Sequence, residues 1–141
     1  MDKIYVVYWS QSGNTQAMAE AVGAGITAAG KEAAVVDVSS VSTAELKNAK
    51  AFALGCPAMG AEVLEEGEME PFVTEVEGFA AGKTIGLFGS YDWGDGQWMR
   101  DWEKDCDDAG INRVCDSITC CEAPDDDVLA ACQAMGRKLA E

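Results

Sequence analysis

A loop of hydroxyl and amide side chains, YWSQSGNTQ from Tyr8 to Gln16, follows the first apolar run of the sequence. Between a strand and a helix start, such a loop favours an anion, because backbone N–H groups and the positive end of the helix dipole face it. The loop has no lysine or arginine and fits neither G-x-x-x-x-G-K-[ST] nor G-x-G-x-x-G. Phosphoryl transfer requires Mg²⁺ or a cationic clamp. The pattern therefore predicts a phosphate group that is held and not transferred.

The short side-chain donors of this loop are Ser10, Ser12, Asn14 and Thr15. Hydrogen bonds to a charged group are worth about 1.5–3 kcal/mol each, so several neutral donors can hold a phosphate together. The same residue types are also common in turns and helix caps. The loop alone leaves both interpretations open.

Strand-like and helix-like segments alternate along the chain, which predicts a parallel sheet with helices on both faces in a single domain spanning residues 1–141. The predicted strands are Lys3–Tyr8, Ala33–Val38, Ala51–Gly55, Thr84–Ser90 and Val114–Thr119. The predicted helices are Thr15–Ala29, a short one opened by the capping box Ser42–Glu45, Pro71–Glu77, Gln97–Ala109, and one from Asp125 to the C-terminus.

Ligands of open parallel sheets bind beyond the carboxyl ends of the strands. The loops at that edge are Trp9–Asn14, Cys56–Glu68, Gly89–Gly96 and Cys120–Asp126. Trp98 and Trp102 follow the third of these loops and lie one helical turn apart. We interpret both as residues that pack the helix against the core.

The chain has 25 acidic and 10 basic residues among 141, and a formal charge of -15. This charge repels nucleic acid and anionic lipid and attracts a partner with a basic face, although acidity can also serve solubility alone. We expect a cytoplasmic protein, because no secretion signal and no 18-residue apolar stretch occurs. The six cysteines lack C-x-x-C spacing and no histidine is present, so reduced, partly buried thiols are expected and no metal site.

Three segments in order resemble one family. SQSGNT resembles the phosphate loop of flavodoxins, small carriers that hold flavin mononucleotide (FMN). CPAMGAEVLEEGEMEPF and GSYDWGDGQWMRDWE resemble the two flavin-ring loops of the short-chain, clostridial-type flavodoxins. The resemblance covers nearly the whole chain. It implies an α/β three-layer sandwich with a five-stranded parallel sheet of order 2-1-3-4-5 and helices on both faces.

The resemblance also implies the cofactor-binding residues. Met59 and Trp93 would sandwich the flavin ring, Glu62 would accept from flavin N3–H, and the Gly60 carbonyl would turn toward N5 on one-electron uptake. Ala61 departs from the family, which often has Asp, Asn or Gly there. Glu65, Glu66 and Glu68 are interpreted as a solvated face. The complete predicted set is Ser10, Gln11, Ser12, Gly13, Asn14, Thr15, Ala58, Met59, Gly60, Ala61, Glu62, Ser90, Tyr91, Asp92, Trp93, Gly94 and Cys120, the last through backbone contacts.

By this resemblance the chain is expected to be a monomeric, low-potential one-electron carrier that binds FMN noncovalently and replaces ferredoxin. It is not expected to act as an enzyme on a substrate of its own. Its expected partners are ferredoxin-type oxidoreductases with basic docking faces. Two alternatives stay open: an FMN-dependent reductase, whose substrate space Trp93 would block, and a non-flavin phosphate-binding or signalling domain. Carboxylates on the ring loops would lower the flavin potential by on the order of 100 mV; they are Glu62, Glu65, Asp92, Asp95 and Glu122.

Overall fold

A computed structural model describes residues 3–11, 13–59, 64–92 and 96–141. Strands and helices alternate through most of the chain, as the sequence predicts. The strands are β1 (Lys3–Tyr8), β2 (Glu32–Asp37), β3 (Ala51–Gly55), β4 (Thr84–Tyr91), β5 (Asn112–Arg113) and β6 (Ile118–Cys121). The helices are α1 (Asn14–Ala28), α2 (Thr43–Leu46), α3 (Met69–Glu77), α4 (Gln97–Asp108) and α5 (Asp126–Leu139), with a 3-10 turn at Val38–Ser40. None of the helices in these ranges is long and apolar enough to cross a membrane.

The sheet is parallel, with the order β2-β1-β3-β4-β5, and β6 also pairs with β4. The predicted order 2-1-3-4-5 is confirmed. Because β1 lies between β2 and β3, the connections leaving β1 and β3 run to opposite faces of the sheet. The carboxyl ends of β1 and β3 therefore border a crevice.

The fifth strand position differs from the prediction of one strand at Val114–Thr119. Two short strands lie there, with Arg113 opposite Ile85 and Ile118 opposite Phe88. The chain advances by five residues from Arg113 to Ile118 while the facing strand β4 advances by three, from Ile85 to Phe88. The two extra residues form a bulge in the edge strand. This position is the edge of the sheet that the described residues form, and no further strand among them enforces a regular register there.

Helices cover both faces of the sheet and complete a three-layer sandwich. One core contains α1 and α5, with Met18, Val22 and Ile26, four residues apart on one face of α1, fully buried. The other core contains residues of α2, α3 and α4. Helices α1 and α5 pack especially closely, because a β carbon on Gly136 would collide with the Val22 carbonyl oxygen.

Candidate functional site

The turn between β1 and α1 is organised around the Ser10 hydroxyl. Ser10 Oγ accepts hydrogen bonds from the backbone N–H groups of Gly13, at 3.1 Å, and Gln16, at 3.3 Å. Gly13 is the N-cap of α1 and has φ 93°, a conformation that favours glycine. Because Ser10 Oγ is used here as an acceptor, its own hydrogen is available for donation to a ligand.

Helices α1 and α4, which follow the first and third predicted loops, share a feature that the other helices lack. Both α1 and α4 start from a left-handed glycine, Gly13 and Gly96, and neither has an acidic residue in its first turn. The first turns of the remaining helices contain Glu45, Glu70, Asp126 and Asp127. On so acidic a chain, the start of α1 therefore suits an anion, because no carboxylate competes for its dipole.

Thr15 and Ser90 connect the first predicted loop to the third. Their hydroxyl oxygens lie 3.0 Å apart, and the Ser90 N–H donates to Thr15 Oγ1 at 3.4 Å. Both residues are buried, Thr15 at 1% and Ser90 at 4% exposure. The structure thus brings these two predicted site residues together as a pair that ties the start of α1 to the end of β4.

The loop after β3 first continues along β4. The Cys56 N–H donates to the Phe88 carbonyl at 3.1 Å, and the Ala58 N–H donates to the Ser90 carbonyl at 3.0 Å. Ala58 is therefore beside Ser90, and the next residue, Met59, is half-buried. The predicted site residues Ser12, Gly60, Ala61, Glu62, Trp93 and Gly94 lie outside the described residues.

The loop after β6 is joined to the end of β4. The Glu122 N–H donates to the Tyr91 carbonyl at 2.6 Å, and Glu122 adopts φ 61°. The Cys121 thiol donates to the Asp92 carbonyl at 3.9 Å. Burial raises the pKa of the Cys120 thiol to about 11, so this thiol is protonated at neutral pH. The three predicted loops after β3, β4 and β6 therefore meet at one edge of the sheet.

The prediction that Glu65 lies on a solvated face is wrong. Its carboxylate accepts three backbone N–H bonds, from Gly67 at 2.7 Å, Glu68 at 2.7 Å and Met69 at 2.9 Å. Burial disfavours the charged carboxylate, but these three donors outweigh that effect and lower the pKa of Glu65. Glu65 thus holds the end of the loop after β3 against the start of α3. Its spacing matches no standard capping motif, so the sequence held no signal for this role.

Trp98 is buried at 1% exposure, as the helix-packing prediction requires. It also makes a contact that the sequence analysis missed. Its indole Nε1–H donates to the Cys56 carbonyl at 3.1 Å, and its ring meets the Tyr91 ring at a centroid distance of 5.6 Å and a tilt of 56°. The helical period identifies Trp98 as buried, but no pattern in the sequence indicates which carbonyl its N–H reaches.

An anion-suited helix start beside the β1/β3 crevice, with loops from β3, β4 and β6 around it, defines the class of doubly wound proteins that bind a phosphate-bearing cofactor. Flavodoxins are themselves one of the examples behind that rule. The sequence model of the flavodoxin family matches residues 6–135. The chain belongs to the flavodoxin family.

Individual relatives agree with this membership. The chain is 44% identical over 135 residues to a flavodoxin of Clostridium beijerinckii, covering 96% of this chain and 97% of the relative. It is 38% identical over 138 residues to a flavodoxin of Megasphaera elsdenii, covering 98% of each. The solution structure of the two-electron reduced Megasphaera elsdenii flavodoxin superposes with a TM-score of 0.88 at 37% identity, covering 97% of this chain and 98% of that one.

Flavodoxins are FMN-binding electron-transfer proteins, and this chain is one by membership of the family. Membership favours the electron carrier over the reductase and the signalling domain that the sequence analysis left open. The residues fit the cofactor: the start of α1 offers backbone donors and has no acidic residue in its first turn, and half-buried Met59 offers a polarisable apolar surface. FMN supplies the redox chemistry, while the chain supplies binding, orientation and electrostatics.

Proposed function

We propose that the chain is a low-potential one-electron carrier that replaces ferredoxin as the electron carrier of cytoplasmic oxidoreductases with basic docking faces, and that it acts as a monomer. The start of α1 would hold the FMN phosphate. The loops after β3, β4 and β6 would hold the flavin ring. The proposed binding residues are Ser10, Gln11, Ser12, Gly13, Asn14 and Thr15 for the phosphate, and Ala58, Met59, Gly60, Ala61, Glu62, Ser90, Tyr91, Asp92, Trp93, Gly94 and Cys120 for the ring.

The observation that supports this proposal best is that the lysines which begin the strands lie at the far end of the sheet from the proposed site. Lysines stand at or immediately before the first residues of β1, β2, β3 and β4, and Arg137 and Lys138 lie in the last turn of α5. Three of these lysines and the last residues of the chain line one depression at the amino ends of the strands. The four lysines are Lys3, Lys31, Lys50 and Lys83.

The loops at the carboxyl ends of the strands contain carboxylates instead. Glu65, Asp92, Glu122 and Asp125 all lie in the loops there. A six-residue strand such as β1 is about 20 Å long, and the Debye length at physiological salt is about 8 Å, so the lysines hardly offset these carboxylates. Each negative charge about 10 Å from a reduced flavin costs about 0.4 kcal/mol in water, or ~20 mV.

The same distribution supports the proposed mode of partner recognition. A partner with a basic face is attracted to the carboxylates at the carboxyl end of the sheet, where the flavin edge would be presented. Encounter complexes would therefore form with the carboxyl end of the sheet facing the partner. Electron transfer to such a partner should slow as salt is added.

The charge proposal is tested by neutralising carboxylates singly at the two ends. In Asp92→Asn and Glu122→Gln, the potential of the more negative flavin couple should rise by about 20 mV each at low salt, and by less at high salt. Glu32→Gln, at the start of β2, removes the same charge at the amino end and should leave the potential unchanged. Equal shifts in all three variants would mean that position relative to the site does not matter, and the proposal would fail.

A further inference from the structure

The two stems of the loop after β3 are joined by the side chain of Cys56. Its thiol donates to the Pro57 carbonyl at 3.4 Å and accepts the Glu65 N–H at 3.4 Å. Cys56 is fully buried, and burial raises the pKa of its thiol to about 12. The thiol therefore stays neutral and can act as donor and acceptor at once, linking residues nine positions apart.

The carbonyl of the same residue is fixed from the other side. Trp98 Nε1 lies 3.1 Å from the Cys56 carbonyl oxygen, and both residues are shielded from water. A β carbon on Gly89 would collide with that oxygen and would lie 3.1 Å from Trp98 Cζ2. The carbonyl is therefore confined between β4 and the indole, and removing the N–H would leave a buried acceptor unpaired.

From these contacts we infer that Trp98 and Cys56 are positioning residues for FMN. They brace the loop from Pro57 to Leu64 at its two stems, so that the contacts of the loop with the flavin ring keep one geometry. This inference rests on the proposed assignment of that loop to the flavin ring. The brace acts through the loop backbone, because the Trp98 indole and the Cys56 thiol both bond to main-chain atoms of its stems. Loosening it should weaken FMN binding and change how far the two one-electron potentials lie apart.

The chain offers a matched control for each bracing residue. Trp102 lies one turn further along α4, is also 1% exposed and belongs to the same core, yet its indole N–H has no partner among the described residues. Cys106 likewise lies in that core at 1% exposure, and burial raises the pKa of its thiol to about 12. Neither control contacts the loop after β3 through a hydrogen bond within the described part of the chain.

The experiment compares Trp98→Phe with Trp102→Phe, and Cys56→Ala with Cys106→Ala, in the FMN-loaded protein. For each variant it measures the FMN dissociation constant, the two one-electron potentials and the urea midpoint. The dissociation constant should rise about threefold to tenfold in Trp98→Phe and Cys56→Ala, with the potentials closer together than in the wild type. The control variants should lower the urea midpoint while leaving binding and potentials as they are.

Equal dissociation constants and potentials within each matched pair would overturn the brace, whatever the change in stability. Cys56→Ser keeps a donor and an acceptor, so it should restore binding relative to Cys56→Ala. Should Trp98→Phe fail to fold, the cysteine series decides the question alone. Met59→Ala tests the assignment of the loop to the flavin ring separately. If Met59→Ala weakens FMN binding while Trp98→Phe and Cys56→Ala leave it unchanged, only the bracing role is overturned. If Met59→Ala is silent as well, both fail.

Discussion

Helices α1 and α5 pack side by side and both begin at the carboxyl end of the sheet, yet their first turns differ. Helix α5 starts from Asp125, whose carboxylate accepts the Val128 N–H at 2.9 Å, and continues with Asp126 and Asp127. Helix α1 starts from Gly13 and has no acidic residue in its first turn. The dipoles of the two helices point in the same direction, but different negative charges stabilise their N-terminal ends. The chain's own carboxylates do so at α5, and on our proposal a ligand phosphate does so at α1.

Gly13 provides no side-chain cap for α1, and Ser10 Oγ accepts the Gln16 N–H of its first turn from outside the helix. Helix α1 is held by burial of its inner face and by close backbone contact with α5, where a β carbon on Gly25 would collide with the Gln133 carbonyl oxygen. Packing against α5 therefore adds to the hydrogen bond that Ser10 accepts from the first turn of α1. This arrangement keeps the first turn in place while leaving it free of negative charge.

The largest expected effect comes from breaking that packing. In Gly136→Ala the added methyl group would meet the Val22 carbonyl and the Ile26 nitrogen, so the two helices must separate. The free energy of unfolding should fall by about 2–3 kcal/mol in urea denaturation. Gln133→Ala, on the exposed side of the same helix, should change it by less than about 0.5 kcal/mol. An unchanged urea midpoint for Gly136→Ala would refute the packing account.

Giving α1 the acidic start of α5 should affect binding and stability in opposite directions. Asn14→Asp places a negative charge in the first turn of α1. At about 5 Å from a phosphate dianion this charge costs about 1.7 kcal/mol even in water, which corresponds to a roughly twentyfold higher FMN dissociation constant. The apoprotein should become no less stable, because the charge favours the helix dipole. Unchanged FMN affinity in a fluorescence titration would contradict the phosphate assignment.

The reciprocal change removes the cap of α5. Asp125→Ala deletes the acceptor of the Val128 N–H and should lower the free energy of unfolding by about 1 kcal/mol. The FMN dissociation constant should not rise, because the proposed phosphate site is on the other helix. Asp125→Asn retains a good capping side chain without the charge and should recover most of the stability. A loss of FMN affinity in Asp125→Ala would show that the two helix starts are not independent.

Helix α3 offers a third kind of start, capped from outside by Glu65. Because the folded-state pKa of Glu65 is below its ordinary value of 4.5, its stabilising effect is present above that value and is lost as pH falls through the folded-state pKa. Glu65→Gln should therefore be less stable than the wild type by about 0.5–1 kcal/mol at pH 7, with the gap closing below pH 4.5. A gap that persists at low pH would indicate that the Glu65 charge is not responsible. The exposed neighbour Glu66→Gln is the charge-matched control.

The sequence was sufficient for most of the fold because its signals are local. The apolar strand-like runs predict four of the strands within a few residues, and the helix-like segments between them predict the long helices. The alternation of these elements then permits only a parallel sheet with two covered faces. The family resemblance added the strand order, which no local pattern determines.

The parts that could not be predicted depend on contacts between distant residues. The bulge between β5 and β6 arises from the register against β4 at a free edge, and the sequence around Val114 reads as one ordinary strand. Glu65 and Trp98 have the residue types of a solvated charge and a packed ring. Their bonds to the loop stems depend on how α3 and α4 approach β3 and β4 in three dimensions.

An anaerobic redox titration of the FMN-loaded protein tests the central claim most directly. We expect one FMN per chain and two one-electron steps, with the more negative potential on the order of 100 mV below that of free FMN, less after screening by salt. That potential should move toward the free value as carboxylates at the carboxyl end of the sheet are neutralised. A more negative couple at or above the potential of free FMN would contradict the assignment of a low-potential carrier.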